Sequence, residues 1–126
     1  MIEQANTRQT FGSPLADKQA IQWWIADSYQ EIEMVRLTIH RLAWKIDQGV
    51  ADFRRDGSMV KVQATELIQR VVDRAIQLFG GMGLSKELPL EYIARMCRVL
   101  RIVEGPSEVH RWVIARDLLR NGLPQQ

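Results

Sequence analysis

The sequence predicts an all-α fold, an antiparallel helical bundle with one long helix, one medium helix and two short ones. Apolar residues recur at spacings of three and four along most of the chain, which is the period of an amphipathic helix. Polar, glycine-containing or proline-containing breaks separate these periodic stretches. With 126 residues, 46% of them hydrophobic, the chain is long enough to bury the core of one domain.

The N-terminal segment, residues 1–12, has no sustained period and predicts an irregular arm in front of the bundle domain, residues 13–126. Ser13 and Pro14 are typical of a helix start, because serine caps the first turn and proline fits the first helical position. We therefore expect a long helix from this point to Gly49. Its predicted apolar stripe, with one polar member, consists of Ile21, Ile25, Ser28, Ile32, Val35, Ile39, Leu42 and Ile46.

Five large apolar residues of this helix lie off the stripe. The helix is therefore expected to contact neighbours on more than one side, and another subunit is a candidate neighbour. The three tryptophans among these residues fit either ordinary core packing or an apolar surface that another part of an assembly covers. The five residues are Trp23, Trp24, Tyr29, Leu37 and Trp44.

A polar connection and a second helix follow. The stretch 52–57 is charged and ends in glycine, which suits a link between antiparallel helices. Ser58 is expected to cap the medium helix, which continues at helical spacing to Phe79. The run Gly80–Gly83 then ends it, because glycine adopts positive φ without strain.

Two short helices complete the bundle. Pro89 is expected to open the first, which runs to about Val99. A break at Glu104–Pro106 separates it from the last helix, Ser107–Asn121. The stop signals of the last helix are Gly122 and Pro124.

The composition argues against several classes of function. The 17 basic and 15 acidic residues nearly cancel, which gives no strong attraction to nucleic acid or anionic membranes. No apolar run approaches the roughly 20 residues that cross a bilayer, and no targeting signal is visible, so we expect a soluble, cytoplasmic protein. The single Cys97 excludes an internal disulfide and is expected to be a buried apolar side chain. His40 and His110 suggest no metal pair and are expected to be structural or solvated.

Three segments interrupt the helical pattern, and functional residues concentrate at such breaks. Each has an ordinary structural interpretation. Arg8 is an arginine in an arm, Gly80 and Gly81 can form a helix C-cap, and Glu104 adds favourable charge near a helix start. Taken singly, none of these segments identifies an activity.

Together and in this order, the motifs resemble the acyl-CoA dehydrogenase family over residues 8–119. The run Gly-Pro-x-Glu-Val-His that begins at Gly105 is similar to a less studied branch of that family. The motifs that carry the resemblance are Arg-x-Thr-Phe-Gly from Arg8, Gln19–Gln22, Ile25–Asp27, Met59–Lys61, Ala75–Gly83 and Glu104–Val109.

The resemblance implies that FAD is the cofactor and that it is held between subunits. Arg8 and Thr10 would reach the FAD diphosphate region of a neighbouring subunit, where a guanidinium matches phosphate geometry. Ser107 and Glu108 match positions beside the adenosine part of the subunit's own FAD. The implied cofactor-binding residues are Arg8, Gln9, Thr10, Gln19, Gln77, Leu78, Phe79, Gly80, Gly81, Ser107 and Glu108.

Glu104 matches the catalytic carboxylate of many family members. The resemblance implies that it removes the α-proton of an acyl-CoA thioester while the β-hydrogen leaves as hydride to the flavin. The backbone N–H of this glutamate would also bind the thioester carbonyl, and Gly105 is the implied substrate contact. Pro106 stands where much of the family has threonine, and it removes a hydroxyl and a backbone donor.

The resemblance also implies an N-terminal helical domain and a β-domain that this sequence does not contain. We therefore expect a fragment or split subunit that is inactive alone. Its expected partners are further copies in a dimer or tetramer, a subunit carrying the other domains, an acyl-CoA and an electron-transfer acceptor. The alternatives are a non-catalytic oligomerisation or regulatory bundle derived from the family, and a relative that oxidises a substrate other than a thioester or passes electrons to oxygen.

Overall fold

The computed structural model describes residues 1–123, and within them the chain forms the predicted all-α bundle. Its helices are α1 (Ile2–Thr7), α2 (Gln19–Asp47), α3 (Arg54–Phe79), α4 (Leu90–Leu100) and α5 (Ser107–Asn121). Helix α3 is the centre of the bundle, because α2, α4 and α5 all pack against it. The predicted stop signal Pro124 lies outside the described residues.

The N-terminal segment is not the irregular arm that the sequence predicts. It contains α1 and a small hairpin in which Gln9–Thr10 pairs antiparallel with Ser13–Pro14. Six residues are too few to show a helical period, so tertiary burial rather than pattern accounts for α1. Ala5 is only 1% exposed and packs in a core cluster with Ile21 and Leu78.

The predicted start of the long helix at Ser13 and Pro14 is wrong by several residues. Pro14 has ψ near 152°, which is extended backbone, and a short 3-10 turn (Leu15–Asp17) separates it from α2. Ser13 does not cap a helix, because its hydroxyl accepts a hydrogen bond from the Lys18 ammonium at 2.7 Å. The C-terminal end is as predicted, since α2 ends at Asp47 just before Gly49.

The polar connection before α3 is shorter than predicted, because α3 begins at Arg54 instead of Ser58. The Asp52 carboxylate accepts a hydrogen bond from the Arg54 amide at 3.2 Å and so supports this earlier start. Asp56 is buried within the first turn, where Lys45 of α2 lies 2.7 Å from its carboxylate. This ion pair ties the beginning of α3 to the end of α2.

The remaining boundaries follow the glycine and proline signals. Helix α3 ends at Phe79, Gly80 has φ of 61°, and a 3-10 turn (Gly80–Leu84) follows. Pro89 directly precedes α4, and α5 has the predicted bounds. No helix within residues 1–123 is long and apolar enough to span a membrane.

The apolar stripe of α2 is buried only in part. Ile21 and Ser28 are buried against the bundle, whereas Ile32, Ile39 and Ile46 are exposed. Of the off-stripe residues, Trp24 packs against the core cluster. The other four are each more than half exposed, namely Trp23, Tyr29, Leu37 and Trp44.

Candidate functional site

The break between α4 and α5 has an unusual backbone. Glu104 has φ of 55° and Gly105 has φ of 91°, so two consecutive residues adopt the left-handed region. This conformation costs a residue with a side chain roughly 1 kcal/mol or more, and it persists only where surrounding contacts enforce it. Glycine at 105 takes it without that cost.

Helices α3 and α5 supply contacts that enforce this backbone. The Glu104 carbonyl lies 3.0 Å from Nε2 of His110, and the other ring nitrogen of His110 lies 3.0 Å from the Ser58 hydroxyl. The Gly105 carbonyl accepts a hydrogen bond from the Lys61 ammonium at 2.5 Å. Both carbonyls of the turn are therefore tied to α3, one directly and one through the imidazole.

The groups of the turn that could meet a ligand have no partner among residues 1–123. The Glu104 side chain is exposed and forms no ion pair within residues 1–123. The amide N–H groups of Glu104 and Gly105 also find no acceptor in the part of the chain that the structure describes. A carboxylate and two backbone donors are therefore available at one turn. The carboxylate can remove a proton, and the donors can bind a carbonyl oxygen.

A partly exposed charge cluster lies next to the turn. The Glu66 carboxylate of α3 lies 2.6 Å from the Arg111 guanidinium and 3.6 Å from that of Arg101. Burial acts to raise the pKa of Glu66, but the two arginines outweigh it and hold that pKa below its ordinary value. The cluster fixes Arg101 and Arg111 on the two sides of the break.

Ser107 and Glu108 differ in how they could meet a cofactor. Ser107 is 1% exposed, and its amide donates to the Arg101 carbonyl at 3.2 Å. Its hydroxyl faces into the chain. Glu108 is exposed in the first turn of α5 and is the more accessible of the two predicted adenosine contacts.

The other predicted cofactor residues gather around the core cluster of Ala5, Ile21 and Leu78. Helix α1, the start of α2 and the end of α3 meet there, and the hairpin packs against α1. The predicted residues at this end that are exposed are Arg8, Gln9, Gln19, Gln77, Gly80 and Gly81. Thr10 and Phe79 are half-buried, and Leu78 is 5% exposed, so Leu78 can offer a cofactor only its backbone.

This surface fits a flavin nucleotide in two respects. The Arg8 guanidinium is exposed and has no ion-pair partner among residues 1–123, so it can bind a phosphate. At Gly80 and Gly81, the space that a Cβ would fill is open, and a planar group can approach the backbone there. Within the same residues, no group of three or more histidine, cysteine, aspartate or glutamate side chains could hold a metal ion.

The two groups of predicted residues lie at different levels of α3. Lys61 holds the Glu104 turn, whereas Gln77 marks the other group, and 16 residues of α3 separate them. At a rise of 1.5 Å per residue this is about 24 Å along the helix axis. The structure therefore does not bring the two groups together within one chain.

Three residues that hold the turn in place were not among the predicted site residues. His110 was expected to be structural or solvated, and Ser58 was expected to cap α3. Lys61 was only part of a motif. The Lys61–Gly105 and Ser58–His110 contacts join residues 44 and 52 positions apart, so no local pattern could reveal them. The His110–Glu104 contact spans only six positions, but helical periodicity gives no signal for it.

The helical fold is that of the C-terminal domain of acyl-CoA dehydrogenases. The family model described as "Acyl-CoA dehydrogenase, C-terminal domain" matches residues 1–119, and the chain belongs to this family. Among its relatives is (R)-benzylsuccinyl-CoA dehydrogenase of Thauera aromatica, with 57% identity over 122 residues, which are 97% of this chain and 30% of the relative.

Solved structures give the same assignment. Butyryl-CoA dehydrogenase of Megasphaera elsdenii superimposes with a TM-score of 0.89 at 34% identity over 94% of this chain and 31% of its own. The FAD complex of PigA does so with the same TM-score and identity over 95% of this chain and 31% of its own. The chain thus spans about 30% of the length of the relatives that it matches.

Proposed function

We propose that this chain supplies the catalytic base and part of an inter-subunit FAD site for the α,β-dehydrogenation of an acyl-CoA thioester. The observation that carries the proposal is the left-handed turn, which presents the Glu104 carboxylate and two backbone amides that have no partner among residues 1–123. A bundle that served assembly alone would not require this strained arrangement. Membership of a dehydrogenase family supports the same conclusion.

In the proposed reaction, a carboxylate oxygen of Glu104 takes the proton from the α-carbon of the thioester. The amide of Glu104, with Gly105 beside it, binds the thioester carbonyl and so stabilises the charge that develops on its oxygen. FAD, when bound, supplies the acceptor for the β-hydrogen as hydride. An exposed carboxylate is a weak base, so we expect the rest of the assembly to cover Glu104 and remove water from it.

The proposed FAD contacts come from two copies of the chain. Arg8, with Gln9 and Thr10 beside it, would bind the phosphates, and Gln77 to Gly81 would lie close to the same cofactor. Glu108 would serve the chain's own FAD. The separation of about 24 Å along α3 supports this division, because it places the residues around Gln77 far from the Glu104 turn of the same copy.

The proposed assembly is a dimer or tetramer, together with the domains that make up the rest of a family member. An acyl-CoA and an electron-transfer acceptor complete the proposed set of partners. We place this activity in the cytoplasm. The PigA relative has been solved with FAD and also with FAD and proline. Oxidation of a substrate other than a thioester is therefore the competing activity to test.

The test is to combine the chain with a polypeptide that supplies the remaining domains, and to measure bound flavin and thioester oxidation. Glu104→Gln is expected to leave the complex and its flavin absorbance intact and to lower the rate at least about a hundredfold, because the amide cannot accept a proton. Full activity in Glu104→Gln would refute the base assignment. A stable complex without flavin would favour the non-catalytic bundle.

A further inference from the structure

We propose that His110 is the positioning residue of the Glu104 turn, and that Ser58 selects the ring tautomer that allows it to act. The effect of His110 on catalysis rests on the proposed function. The contact by which His110 positions the turn lies within this chain and can be tested separately. The imidazole stands between α3 and the turn, with one nitrogen on each.

The chemistry of the two contacts fixes the direction of both hydrogen bonds. A carbonyl oxygen can only accept, so Nε2 of His110 must carry a hydrogen in order to bond to Glu104. In a neutral imidazole, Nδ1 then has a free lone pair and must accept the hydroxyl hydrogen of Ser58. Ser58 is only 4% exposed, so water does not compete freely for that hydroxyl.

The His110 ring also lies close to the backbone of Gly105. A Cβ at Gly105 would lie 3.0 Å from Nε2 of His110. The ring therefore packs directly beneath the second left-handed residue while it bonds to the first. Movement of the ring would release the Glu104 carbonyl and leave Lys61 as the one side-chain tie to the turn among residues 1–123.

The first test reads the tautomer of His110 in the unmodified chain. Long-range correlations between ring nitrogens and ring hydrogens in a nitrogen-labelled sample at neutral pH are expected to show a proton on Nε2. The other histidine, His40, is exposed on α2, and His40→Ala identifies which signals are its own. A neutral His110 ring with its hydrogen on Nδ1 would overturn the proposal without the need for any change at position 110.

The second test compares two amides at position 110. His110→Gln places a donor about as far out as Nε2 and is expected to keep the Glu104 contact, whereas His110→Asn reaches only to the level of Nδ1 and is expected to lose it. Backbone chemical shifts of Glu104 and Gly105 should stay near those of the unmodified chain in the first variant and move in the second. Exchange of the Ser107 amide hydrogen should be about fivefold faster in the second, the effect of one lost hydrogen bond.

A purely structural role predicts the same change in both variants, and that result would refute positioning. Thermal melting shows whether each variant is folded. If a variant does not fold, the tautomer measurement on the unmodified chain still tests the proposal. In the assembled enzyme, His110→Asn is expected to lower kcat about tenfold with little change in KM, because the base is displaced. If Glu104→Gln proves fully active while the tautomer and shifts are as expected, the proposed function fails and the positioning contact stands.

Discussion

At the scale of single residues, Glu66 is a carboxylate that contacts two arginines on either side of the Glu104 turn. It is half-buried beside Arg101 and Arg111, and although burial acts to raise its pKa, these two guanidinium groups hold that pKa below the value of an unfolded carboxyl. A depressed pKa means that Glu66 stabilises the chain at neutral pH. This stabilisation is lost as the pH falls through the folded pKa.

We therefore expect Glu66→Gln to lower the free energy of unfolding at neutral pH and to have less effect in acid. Urea unfolding of both proteins at several values from about pH 7 to about pH 3 measures the difference. The gap between the two curves should narrow as the pH falls. A gap that stayed constant over this range would show that packing, and not the ion pairs, is what the substitution removes.

Cys97 is the buried thiol that the sequence predicts. It is 1% exposed, and burial raises the pKa of the thiol, so little reactive thiolate forms at neutral pH. We expect a thiol-specific reagent to modify the folded chain at least about a hundredfold more slowly than the urea-unfolded chain. Equal rates in the two states would mean that α4 leaves the bundle freely.

At the scale of elements, two of the three glycines in the turn after α3, Gly81 and Gly83, differ in the space around them. A Cβ at Gly83 would lie 2.7 Å from the Ile76 carbonyl oxygen, which is backbone and cannot move aside easily, whereas the space at Gly81 is open. We expect Gly83→Ala to lower the free energy of unfolding by about 2 kcal/mol. Gly81→Ala, the matched control, should change it by no more than about 0.5 kcal/mol.

Chemical denaturation of the two variants measures this difference. Similar losses in both would mean that the general flexibility of glycine, and not close approach to α3, sets the requirement. Because Gly81 is a proposed cofactor contact, its variant also separates folding from binding. It should fold normally whatever its effect on bound flavin.

The element boundaries show what the sequence could and could not predict. Helix ends at Gly49 and Gly80 were predictable, because positive φ is a local requirement that glycine meets. Both predicted serine caps were wrong, since Ser13 binds Lys18 and Ser58 binds His110. A serine's partner depends on which segment packs against it, and that information is not local.

The same distinction applies to the candidate site. The order of motifs identified the family and the Glu104 break, and the structure places that break where the pattern put it. The Lys61 contact with the break and the Ser58 contact with His110 form only after α3 has packed against this region. The His110–Glu104 contact is local, but it joins a side chain to a backbone carbonyl across an irregular turn. Helical periodicity predicts which face of a helix is apolar, and it does not predict which polar side chain reaches a distant carbonyl.

At the scale of the whole molecule, the chain buries little and exposes much. Among residues 1–123, eight hydrophobic residues are buried and 25 large ones are exposed. Part of this surface is a second apolar face on α2, opposite the bundle, which we define as Trp23, Leu37 and Trp44. Positions 23, 37 and 44 are spaced by 14 and 7 residues and so lie along one side of the helix.

This α2 face favours association of the chain with further copies of itself, since its three large apolar side chains are each more than half exposed. We expect sedimentation velocity to give a mass above the 14.6 kDa of one chain, rising with concentration. Replacement of both Trp23 and Trp44 by glutamine should return the mass toward that of one chain.

Trp112 on α5 is 56% exposed, close to the 59% of Trp23, so Trp112→Gln is the matched control and should leave association unchanged. An equal effect of the control would show that exposed tryptophan is adhesive wherever it lies, and that the α2 face has no special part in assembly.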